Sequence, residues 1–368
     1  MQASAGRPAA TGSLARLSPW LENSTLPGSR WFRRQEATPS AGRVQPPLVY
    51  GARGSGRLAS YRRVLERLFG ARPAGRRDIL FSRAPVLILA AEDHLLFYAL
   101  AGLLRALAGR RTVGLVLRPT LLAASGGGRL RWKGRVLGWL KRVGAIRTLS
   151  VLPFRVLPAL AAIADGWIYD VQLFDLTGEE HTAVDVLRGE RRPGDRLVMT
   201  AIGAQHPRKG FDLFCRSYAR FDALRARFRF IACGRVAGRM EAHAALLREA
   251  GGVAVDRVVS DAELLGAYAA SDAVWCLYPP AGDHVCGIFG RAVQLGLPVV
   301  VRRGSIGHRL CRMENLRHVA ATADDLAVQL ASPLPVRDAE GGRLAALRFA
   351  RQSEAALRDA LGLVRNGD

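Results

Sequence analysis

The run Leu-Val-Met-Thr-Ala-Ile-Gly-Ala-Gln-His-Pro-Arg-Lys-Gly-Phe-Asp-Leu-Phe, residues 197–214, passes from an apolar segment through a Gly/Pro-containing turn into an amphipathic one. That order reads as a strand, a tight basic turn and a helix start. Downstream, strand-like runs recur at 228–233, 255–259, 273–278 and 298–301, separated by helix-like stretches at 211–224, 241–249, 261–269, 289–295 and 307–312. Upstream, a first series alternates strands at 48–50, 86–90, 112–117 and 146–151 with helices at 58–69, 95–107 and 130–143. Alternation of this kind marks parallel βαβ units. The expected fold is therefore α/β, with two Rossmann-like domains facing each other across a cleft. Ligands of such sheets bind at the carboxyl ends of the strands.

The chain has 368 residues, enough for two separate cores, and 49% of them are hydrophobic. Residues 1–46 are rich in Ser, Pro, Gly, Ala and Arg, without period, and read as a flexible basic tail. The first domain is expected over 47–176 and the second over 196–335, with a C-terminal helical segment over 336–368. Between the domains, TGEEHTAVDVLRGERRPGD (177–195) is polar, charged and ends in Pro-Gly, and reads as a linker.

The formal charge is +23, which concentrates anions: nucleotide diphosphates, anionic lipid surfaces or nucleic acid. No helix-turn-helix, zinc spacing or aromatic RNA-binding motif accompanies it, which argues against nucleic acid. The five cysteines contain no C-x-x-C pair and sit mostly in apolar runs, the pattern of reduced buried thiols and a cytosolic compartment. No metal-ligand spacing occurs among the cysteines and the seven histidines, so no metal is expected. The apolar stretch 86–104 carries Glu92, Asp93 and His94 at its centre, which disfavours a membrane span.

Two turns of the second domain could carry chemistry. At 202–210, Gly203 allows the chain to leave its strand sharply, and Arg208 and Lys209 place cations beside a helix N-terminus that already favours anions. A diphosphate site and a merely basic surface loop both fit. At 278–291 (YPPAGDHVCGIFGR), glycines permit close backbone approach, and Asp283 could accept hydrogen bonds from sugar hydroxyls. Here too a solvated Asp-His loop is the plain alternative.

These features come in an order that resembles the donor domain of group 1, family 4-like, GT-B glycosyltransferases. Carrying the resemblance are the Lys-Gly turn, a strand ending in Gly234, the run VSDAELL at 259–265, Ala270-Ser271-Asp272-Ala273, and the loop before Gly296-Leu297-Pro298-Val299-Val300. The resemblance implies transfer of a sugar from a UDP- or GDP-linked donor, as substrate rather than cofactor, to a saccharide or lipid-linked acceptor. It also implies retention of configuration and no obligatory metal, in cell-surface polysaccharide or glycolipid synthesis. By position, Lys209 and Arg208 would neutralise the pyrophosphate, Gly203 would border it, and Gly234 and Val259 would border the base. His284, Gly287 and Ile288 would line the phosphates, and Asp283 would touch the transferred sugar. The family's two glutamates, eight positions apart, fall here on Asp283 and Arg291. An arginine cannot accept hydrogen bonds from a ribose. Ala204 occupies the slot of the family's turn arginine, and Arg208 stands near enough to substitute. An inactive nucleotide- or glycan-binding relative is the alternative.

In the first domain the glycine-rich turn at 51–57 includes Gly54, and Asp93, His94 and Arg118 follow strands. These are the acceptor-side candidates. The stretch 130–143 places Trp132, Val136, Trp139 and Val143 at helical spacing among basic residues. It reads either as a contact with an anionic membrane at the inner face of the cell membrane or as an ordinary core-facing helix.

Overall fold

A computed structural model describes residues 45–51, 56–123, 128–190, 196–284 and 286–363. Residues 1–44 of the tail expected over 1–46, and Gly54, lie outside the described residues.

The first sheet is built from β1 (Leu48–Tyr50), β2 (Arg72–Pro73), β3 (Val86–Leu89), β4 (Thr112–Val116), β5 (Arg147–Ser150) and β6 (Gly166–Trp167). Its helices are α1 (Arg57–Phe69), α2 (Arg76–Phe81), α3 (Leu95–Leu107), α4 (Pro119–Ala123) and α5 (Gly128–Arg142). The strand order is β2-β1-β3-β4-β5-β6, all parallel. Every residue of β3 and β4 is buried, as parallel strands covered on both faces must be.

Helix α6 (Gly178–Gly189) leads into the second domain, with β7 (Leu197–Ile202), β8 (Phe228–Cys233), β9 (Val253–Val255), β10 (Ala273–Cys276), β11 (Val299–Arg302) and β12 (His318–Ala321). Its helices are α7 (Phe211–Arg220), α8 (Asp222–Arg227), α9 (Glu241–Glu249), α10 (Asp261–Ala270), α11 (Gly287–Gln294), α12 (Ile306–Glu314) and α13 (Leu326–Ala331). The second sheet, also parallel, runs β12-β11-β10-β7-β8-β9. The long α14 (Ala339–Leu361) then returns to the first domain. There the Tyr169 amide donates to Ser353 Oγ (3.0 Å), the Tyr169 and Phe349 rings lie 4.2 Å apart, and Arg111 Nη1 donates to the Asp359 carbonyl (3.2 Å). One apolar core consequently runs from the first sheet under α14 into α11 and β11.

Several expectations change. The segment expected as a linker is mostly helix: Thr177 Oγ1 accepts the Glu180 amide and Glu180 reaches back to the Thr177 amide, a capping box, and α6 packs on α10. The strand expected at 255–259 ends at Val255, because Asp256 leaves the ladder to accept the Val236 amide (2.7 Å) and Ser260 caps α10. Val259 thus lies in a loop. The helix expected at 211–224 breaks at the extended residue Phe221. Among the described residues no helix is long and apolar enough to cross a membrane.

Candidate functional site

The glycines of the second domain interlock its two loops. Gly203 has φ of +83°, and a Cβ on Gly234 would lie 2.4 Å from the Gly203 carbonyl oxygen, so the turns after β7 and β8 touch backbone to backbone. A Cβ on Gly203 would stand 3.2 Å from Lys209 Nζ and 3.5 Å from Ile288 Cδ1. Lys209 and Ile288 therefore roof a glycine floor. Lys209 closes a 3-10 turn, Pro207–Lys209, and Gly210 follows with φ of +64°, where a side chain would be 2.3 Å from the Leu277 carbonyl oxygen. The second loop seats itself on the first, since a Cβ at Gly282 would fall 1.9 Å from the Arg208 carbonyl oxygen.

The first domain contributes Arg57, the opening residue of α1, which follows Gly56 with φ of +64°. Its guanidinium pairs with the buried Asp170, which also accepts from Tyr61 Oη (3.1 Å). Arg57 Nε is buried without an acceptor among the described residues. His284 lies in the field of both Arg57 and Lys209: burial, then Arg57, then Lys209 hold its imidazole below the ordinary pKa. The charges of Arg57, from the first domain, and of Lys209, from the second, thus both act on His284. Sequence reasoning missed Arg57, and its position directly after the glycine-rich turn was the available signal. Arg208, expected to stand in for the missing turn arginine, is exposed, and its charge acts on His206.

Asp283 and Arg291 both have partners within the chain. Asp283 Oδ2 accepts from Arg302 Nη2 (2.6 Å) and Oδ1 from the Ile306 amide (2.9 Å), so the carboxylate ties its loop to β11 and the start of α12. Arg291 Nη2 donates to Asp175 Oδ2 (3.2 Å), whose side chain is 2% exposed. Asp175 also accepts from Ser60 Oγ (2.9 Å) and Gln294 Nε2 (3.1 Å), which joins α1, α11 and the chain leaving β6. Arg291 is a structural cation across the domain junction. At the N-terminal end of α11, a Cβ on Gly287 would meet Gln172 Nε2 at 2.3 Å, so the amide of Gln172 lies against the end expected to face phosphates. Ile288 presents its carbonyl to Tyr268 Oη (3.3 Å).

The acceptor-side candidates form a second group at the ends of β3 and β4. Asp93 pairs with Arg118. The buried Glu92 accepts the amides of Leu117 (3.1 Å) and Arg118 (2.8 Å), and its neighbour contacts include Lys133 Nζ on its own carbonyl (2.6 Å). Burial raises the Glu92 pKa. His94 caps α3 without a side-chain bond and meets the Tyr50 ring edge-on at 5.1 Å. Among the described residues no group of three or more His, Cys, Asp or Glu is placed to hold a metal.

Two parallel Rossmann-like sheets and a C-terminal helix crossing back to the first domain define a divergent GT-B fold. The chain is similar to the sucrose-phosphate synthase of Thermosynechococcus elongatus at TM-score 0.54 and 12% identity, covering 87% of this chain and 100% of that one. It is also similar to a UDP-forming α,α-trehalose-phosphate synthase of Burkholderia xenovorans at TM-score 0.51 and 10% identity, covering 78% and 75%. No protein-family model and no curated protein matches the sequence.

Proposed function

We propose that the protein is a glycosyltransferase that moves a sugar from a UDP- or GDP-linked donor to a saccharide or lipid-linked acceptor, working peripherally at the cytoplasmic face of a membrane. The observation that carries this reading is Lys209 set over the Gly203 turn, with the charges of Arg57 and Lys209 both acting on the buried His284. Fixed cations in a partly desolvated cleft stabilise charge developing on a departing diphosphate, at no reorganisation cost. Gly234 and Val259 would border the base, and Asp93, His94 and Arg118 would meet the acceptor. Retention of configuration and independence from metal belong to the same proposal and rest on the family resemblance. Asp283 acts by holding its loop.

Titration calorimetry with UDP and GDP, alongside an assay of donor turnover, tests it. Binding of a nucleotide diphosphate with turnover of its sugar is expected. Absence of binding to either would sink the proposal. Binding without turnover across donors and acceptors would favour the second reading, an inactive nucleotide- or glycan-binding relative. The observation on that side is the Arg291–Asp175 pair at the position of a ribose-holding glutamate.

The same geometry sets a pH dependence. Burial and the charges of Arg57 and Lys209 hold the His284 pKa below the usual value of about 6.5, which favours the neutral imidazole at pH 7. A diphosphate beside Arg57 and Lys209 would offset their charge and raise that pKa, so binding takes up a proton. Affinity for a nucleotide sugar should rise as pH falls from about 8 toward 6. Calorimetry in two buffers of different ionisation enthalpy reads the proton uptake, and His284→Gln should remove most of it. An unchanged pH profile in that variant would show that His284 does not face the diphosphate.

A further inference from the structure

The inward side of α3 packs Leu95, Tyr98, Ala101 and Gly102 against the sheet. Its one charged residue, Arg105, is also turned inward, where its guanidinium donates to the carbonyls of Ile79 (3.0 Å), Ser82 (2.7 Å) and Ala84 (2.9 Å). The outward side carries Leu96, Leu100, Leu103, Leu104 and Leu107, all exposed, from 38% at Leu103 to 87% at Leu107. The spacing i, i+4, i+7, i+8, i+11 makes one continuous apolar stripe. Monomeric proteins rarely leave such a face to water.

Helix α5 repeats the arrangement with different residues. Leu137 and Leu140 are buried, while Trp132, Trp139 and Val143 are exposed beside the exposed Arg135 and Arg142. Right-handed crossovers from β3 to β4 and from β4 to β5 put α3 and α5 on the same side of the sheet. They are close neighbours there: a Cβ on Gly102 would meet Ile146, just after α5, at 2.3 Å. Both helices thus expose apolar residues on that side of the sheet.

Charge decides the occupant. Neither α3 nor α5 contains an Asp or Glu, and Arg135 and Arg142 are exposed on α5. Two copies of this face would repel each other, whereas an anionic bilayer complements both its charge and its apolar stripe. We propose that the outer faces of α3 and α5 form a membrane-docking surface for anionic lipid. The docking stands on its own observations. Its meaning for the acceptor rests on the reading above: α3 starts at His94, beside Asp93 and Arg118, so docking holds that end of the cleft at the headgroup level.

Flotation of the full chain with phosphatidylcholine vesicles, with and without about one-third phosphatidylglycerol, at about 150 mM salt tests the proposal. Binding to the anionic vesicles is expected. The double variant Leu100→Glu, Leu107→Glu should lower the bound-to-free ratio by about tenfold or more, with melting temperature and nucleotide affinity unchanged. Wild-type protein that fails to float would overturn the inference. So would a folded variant that floats like the wild type, since basic charge alone would then explain binding. Light scattering that finds a stable dimer, dissociated by the same substitutions, would assign the face to a second copy instead. Nucleotide binding on the same samples separates the two proposals: vesicle binding without nucleotide binding leaves the docking face intact and removes the transfer reading.

Discussion

Arg291→Glu, which installs the residue type expected from paired-glutamate spacing, should destabilise the protein and leave nucleotide affinity no better. Asp175 is 2% exposed, and Arg291 is the cation that pairs with it. Removing that cation leaves a buried carboxylate without countercharge, and the new glutamate adds a like charge beside it. Breaking a buried pair in this way costs about 3–5 kcal/mol before the added repulsion. The melting temperature should fall on the order of 10 °C. Because two domains need not unfold together, the shift is best read by scanning calorimetry rather than as one free energy. Adding Asp175→Asn should recover part of the loss by removing the repulsion. A single variant as stable as the wild type, with tighter nucleotide binding, would return position 291 to the ribose.

Lys209→Ala should lower donor turnover by about a hundredfold to a thousandfold, the range for removing one fixed charge-stabilising group. The fold should be little affected, since the turn's geometry depends on Gly203, Gly210 and Gly282 rather than on the ammonium group. UDP or GDP affinity should fall as well, whereas a nucleoside lacking phosphates should bind as before. Arg57→Gln should also impair turnover, but it is the less clean test because Asp170 is left buried without its partner. Turnover of Lys209→Ala within about threefold of wild type would remove the diphosphate from this cleft.

What the sequence made legible was local. The helix expected at 95–107 and the one expected at 241–249 match α3 and α9 end to end, because apolar periodicity and flanking turns lie within a few residues of each other. The Lys-Gly turn was legible because Gly210 serves a backbone geometry that few other residues adopt. The site's long-range partners were not. Arg57 reaches Asp170 across 113 positions, and Arg291 reaches Asp175 across 116. Neither aspartate belongs to a periodic element, so no spacing pointed to them. Position 291 was therefore assigned a ribose slot by counting alone. The α6 segment shows a different failure: the Thr-x-x-Glu signature was present, but the weight of charge around it suggested a linker.

The return of α14 gives the domain junction a second chain crossing, beside the one that leads into α6. With the Arg291–Asp175 pair bridging the same junction, the two domains are fastened at several places rather than through one linker. Helix α14 ends against Arg111, at the start of β4, so the last described helix of the chain is fastened to the first sheet.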